Sequence, residues 1–158
     1  MPTFTASEPV PFDLPLAREA FATAGALQAA ATLRAAEHVT PDDIAVLEAL
    51  NAEYEAALAD GRVGDAIAHD TAFHHRFFEL ADDPDLLVSA ELIMPRLSRM
   101  DLWLFTRKAF DPSQNSHPGI LAALRAGDGE RAAELVEASF TDAGEMLAAI
   151  VERSSHAR

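Results

Sequence analysis

Apolar residues recur along this chain with the period of a helix, and no stretch alternates long enough for a strand. Leu16, Ala20, Phe21, Ala24, Leu27, Ala31 and Leu33 predict a first helix from Leu14 to about His38. Thr40-Pro41-Asp42-Asp43 reads as a helix start, with a Thr cap, Pro in the first position and an acid three residues on. The second helix carries Ile44, Leu47, Leu50, Tyr54 and Leu58 and ends at Asp60-Gly61. A third runs from about Val63 to Leu80 on Ile67, Phe73, Phe77 and Leu80. Asp83-Pro84 opens a fourth that reaches about Ala109, with Pro95 inside it predicting a kink. Asp111 to Asn115 is a loop, the fifth helix spans about Ser116 to Ala126, and Asp128 caps a sixth that runs to about Arg153.

Six helices with short connections predict an all-α fold, a single antiparallel six-helix bundle over residues 14–153. Residues 1–13 are rich in proline and read as a flexible arm, and residues 154–158 as a polar tail. Composition agrees, because alanine is abundant and β-branched residues are scarce.

Charge narrows the function. Twelve basic residues stand against 26 acidic ones, a net charge of −14, which leaves no surplus for a face that displaces counterions from nucleic acid. The same balance disfavours an anionic membrane surface, and no apolar run reaches the ~20 residues that span a bilayer. The N-terminus lacks the features of a signal peptide, so a cytoplasmic protein is expected. With no cysteine, disulfides, zinc–thiolate sites, iron–sulfur clusters and cysteine nucleophiles are excluded.

The stretch His69-Asp70-Thr71-Ala72-Phe73-His74-His75 carries the clearest chemistry. Asp70 and His74 are four apart, share one helix face and can hold one cation, or else form a solvated ion pair. His75 points about 100° away from His74 and reads as surface. No Gly-rich phosphate loop, G-x-S-x-G elbow or H-E-x-x-H motif occurs.

Asp70, Phe73 and His74, then Asp82-Asp83-Pro84-Asp85-Leu86-Leu87, then His117, Ile120, Leu121, Ala123, Leu124, Gly127 and Asp128 form an ordered pattern. It resembles the FCD domain, the ligand-binding domain of GntR-type regulators of the FadR subfamily, over about residues 14–152. The resemblance implies a small carboxylate effector bound at a divalent metal (Zn, Ni, Mn or Fe) on an Asp and three His. By position, Asp70, His74 and His117 match the first three ligands, while Ser139 stands where the fourth histidine belongs. Serine is a poor ligand beside imidazole. Three readings stay open: a metal on Asp70, His74 and His117 alone, no metal with these groups hydrogen-bonding a ligand, or substitution by another acid, for which Asp142 has the spacing.

The resemblance also implies that an arginine of the fourth helix grips the effector carboxylate, which makes Arg96 and Arg99 candidates together with Ser139. Homodimerisation is expected on the same ground. Regulators of this kind carry a winged helix-turn-helix before the bundle, and this chain has only about 13 residues there, so a stand-alone FCD-like protein is expected. The leading expectation is a ligand-binding module. The alternatives are a metal-dependent enzyme of lyase, isomerase or cyclase type using the open three-ligand site, and the effector-binding fragment of a GntR-type regulator.

Overall fold

The helix boundaries lie where side chains can satisfy backbone groups. The computed structural model describes residues 13–106 and 114–156 and contains α1 (Leu14–Ala36), α2 (Pro41–Ala59), α3 (Val63–Ala81), α4 (Pro84–Thr106), α5 (His117–Arg125) and α6 (Gly129–His156). Among the described residues there is no strand. Asp13 Oδ1 accepts the amide of Leu16 at 3.0 Å, Asp83 Oδ1 accepts that of Asp85 at 3.0 Å, and Asp128 Oδ1 that of Arg131 at 2.9 Å. Thr40 and Asp43 form a reciprocal capping box at the start of α2, with bonds of 3.2 and 3.0 Å. Thr40→Ala is expected to lower the urea midpoint by the equivalent of about 1 kcal/mol without changing helix content. An unchanged midpoint would show that the box contributes nothing.

Gly61 and Gly127 take φ values of +69° and +71°, the left-handed turn that ends α2 and α5. Two predicted ends differ. α1 stops at Ala36 rather than His38, because Glu37 and His38 turn back onto the carbonyls of Arg34 and Ala35. α6 runs through His156, past Arg153. α4 runs through Pro95, whose ring nitrogen has no N–H to donate one turn back. The predicted arm up to Phe12, Arg107 and Lys108 at the end of α4, and the loop residues 111–113 lie outside the described residues.

α1 packs along α6 and against α3 and α4, while α2 packs on α3 and α5, and α5 also on α6. Close approach of α1 and α6 depends on two glycines. A Cβ at Gly25 would meet Phe140 Cβ at 3.2 Å, and one at Gly144 would meet Phe21 Cβ at 3.1 Å. This closeness brings Phe140 inward, onto the ring of His74. Phe73, Phe77 and Phe78 of α3 are buried in the middle of the core. Each such aromatic ring contributes about 1.5–3 kcal/mol by leaving water. Gln28 and Thr32 of α1 are buried too, and the Gln28 side-chain amide donates to the His74 carbonyl at 2.7 Å, tying α1 to the middle of α3.

Candidate metal centre and ligand cavity

Asp70 and His74 stand one turn apart on α3, and His117 opens α5. The sequence puts His117 at a helix start, because the residue before a proline avoids helical backbone angles. The Asn115 side-chain oxygen accepts the His117 amide at 3.0 Å and fixes that start. Three atoms converge: Asp70 Oδ1 lies 3.0 Å from His117 Nε2 and 3.7 Å from His74 Nε2, and the two Nε2 atoms are 3.4 Å apart. Two donor atoms that each bind one ion at about 2.1 Å, at angles of 90–120°, stand about 3.0–3.6 Å apart. The set therefore has the dimensions of one face of a coordination sphere, and a group of ligating atoms this close can hold a metal ion.

The proton inventory points the same way. Asn51 donates from Nδ2 to Glu55 Oε1 at 3.1 Å, so its Oδ1 faces His117 Nδ1 at 3.0 Å and requires a proton there. The other ring nitrogen, Nε2, then faces the Asp70 carboxylate and His74. Burial pushes the His74 imidazole down to about 4 against the pull of Asp70, so at neutral pH this ring is uncharged. Burial pushes Asp70 up, but the two imidazoles facing it outweigh this and hold it below the usual carboxylate range. Two imidazoles and one carboxylate converge, a donor set that would coordinate a divalent cation.

The surroundings hold this geometry. Phe73 stacks on His117 at 3.8 Å and 17°, and Tyr54 packs on the same ring at 5.0 Å. His74 lies edge-on to Phe140 at 5.0 Å. Asn51, buried on α2, holds the His117 ring through its second nitrogen, as a partner that would orient a metal ligand. Asn51→Ala is expected to weaken zinc binding by about 10–100-fold with all three ligands intact, read by competition against a chromophoric chelator. Equal affinity would mean that the ring needs no such partner.

The centre lies in the wall of a half-open cavity of about 710 Å³, lined by residues of α1, α2, α3, α4, α5 and α6. Ser139 is half-buried in that wall, and its hydroxyl donates to the Val136 carbonyl at 2.7 Å. Asp142 lines the cavity from an exposed position and is not among the three converging donors. Arg96 and Arg99 do not line it. α4 buries Leu97, Met100, Trp103 and Leu104, and that phase turns both guanidinium groups to solvent. Against the expectation that these two grip a ligand, the charged α4 side chain lining the cavity is Asp101. Burial pushes the Asp101 carboxyl well up, and the Asp70 carboxylate nearby adds to this. Burial likewise raises the Tyr54 phenol, so it stays protonated. His75 is paired with Glu79 at 3.4 Å, away from the centre.

Asn51, Tyr54 and Asp101 were not read from sequence as site residues. Asn51 carried a signal, because it occupies a polar position between Leu47 and Tyr54 on a buried ridge.

The family model of the FCD domain matches residues 19–142, most of the chain. The chain belongs to the FCD family. FCD domains are the ligand-binding domains of GntR regulators, and the all-α bundle is that of the family. None of the curated proteins compared with the chain matches it. No helix among the described residues of this FCD domain is long and apolar enough to cross a membrane.

Proposed function

We propose that this FCD domain binds a small carboxylate-containing ligand in its cavity, next to a divalent cation (Zn, Ni, Mn or Fe) held by Asp70, His74 and His117. The observation that carries the reading is the convergence of three donor atoms 3.0–3.7 Å apart, with the second nitrogen of His117 already committed to Asn51. A cation there supplies the positive charge that a ligand carboxylate meets, since no arginine of α4 lines the cavity. The protein's part is positional: Phe73 and Tyr54 hold the His117 ring, Asn51 sets its tautomer, and Gln28 ties α1 to the backbone of His74. Ser139 in place of a fourth imidazole leaves room in the wall for the ligand. Homodimerisation belongs to the same proposal and is supported by Val88 and Leu92, exposed apolar residues one turn apart on α4.

Metal analysis of tag-free protein tests the reading. Purified without chelator, it is expected to carry close to one equivalent of a single divalent metal, removable with EDTA and restored on reconstitution. Failure to take up metal after reconstitution would sink the proposal.

A further inference from the structure

The cavity's charged lining is lopsided. Among the described residues Asp70, Asp101, Asp142 and Glu145 line it, against one guanidinium, the exposed Arg153. Two of these acids are already engaged: Asp70 at the metal centre, and Glu145 with Arg18 at 3.4 Å. Asp101 is different. It is half-buried, and no hydrogen bond or ion pair reaches its carboxylate from the described residues. His74, in the same wall, is only 5% exposed, and among the described residues its buried Nδ1 has no hydrogen-bond partner. A carboxyl group kept beside Asp70 without a cation costs stability and is retained at that cost.

We infer that the cavity selects a ligand carrying a protonated amine, which pairs with Asp101, over one carrying a second carboxylate. The inference rests on the proposed function for the ligand's carboxylate end and assigns its other end. The ligand class is a small zwitterion, an amino acid with its charges separated by a short chain. An ammonium at Asp101 forms a charge-assisted hydrogen bond in a partly desolvated wall. A second carboxylate there finds an acidic wall and no arginine of α4 to pair with, so the wall favours one class over the other.

The test is calorimetry on the full chain loaded with zinc, using chain-matched pairs: 4-aminobutyrate against succinate, and 5-aminovalerate against glutarate. At least one amino acid is expected to bind about tenfold or more tightly than its dicarboxylate. Asp101→Asn, close in shape to the native side chain, is expected to bring that gap within about twofold. The wild-type comparison stands without the variant. Dicarboxylates binding as tightly as the amino acids overturn the inference, as does a gap that survives Asp101→Asn, or binding of neither class. Zinc titration of the ligand-free chain reads the proposed function separately. Should zinc fail to bind, pentylamine is titrated into the metal-free chain: binding lost in Asp101→Asn upholds the amine site, and no binding overturns it.

Discussion

His117→Ala is expected to abolish tight binding of a divalent cation, with zinc affinity falling by at least about 100-fold, more than loss of a supporting partner alone would cost. The reason is geometric. Asp70 and His74 come from one helix and offer two donors, while His117 brings the third from a different helix, 3.0 and 3.4 Å from them. A bound cation stabilises the native state by mass action, about 4 kcal/mol at a thousandfold excess over Kd. Zinc should therefore raise the thermal midpoint of the wild-type protein and leave that of His117→Ala unmoved. His75→Ala is the internal control, since His75 pairs with Glu79 and not with the centre. Equal zinc stabilisation of wild type and His117→Ala would remove this residue from the ligand set.

Phe73→Ala carries the largest expected cost to the fold, about 3–5 kcal/mol in metal-free protein. Phe73 is fully buried, packs on Phe77 at 5.6 Å and stacks on His117 at 3.8 Å. Removing the ring opens a cavity in the core and takes away the surface against which the imidazole lies. Stability and zinc affinity should fall together. Phe73→Leu keeps most of the volume but not the flat stacking surface, so it should recover stability more fully than affinity. Urea denaturation of stripped protein, with zinc titration of each variant, separates the two effects. Recovery of both in equal measure would show that the ring acts only as filler.

The helices were legible because their ends carry local chemistry: Thr40 with Asp43, Asp83 before Leu86, Asp128 after Gly127. Asp70 and His74 were legible for the same reason, being one turn apart on one helix. His117 was named by resemblance, and no local spacing relates it to a partner 43 residues away. Asn51, 66 residues from His117, is a partner that only tertiary packing supplies. The phase of α4 was not legible: Arg96 and Arg99 were named, whereas the charged α4 side chain lining the cavity is Asp101. Apolar residues surround that helix: Leu97, Met100 and Trp103 are buried, whereas Val88, Leu92 and Leu102 are exposed. With apolar residues on both faces, periodicity does not say which one turns inward.

The shortness of α5 has a dynamic consequence. Nine residues do not hold a helix in water, and the Ser116 side chain gives this one no cap. Its order is borrowed from Ile120, Leu121 and Leu124 in the core and from His117 at the centre. A cation bound at the proposed centre would therefore lower how often α5 lets go of the bundle, and a binding event at three side chains would be transmitted as a change in the residence of one whole segment.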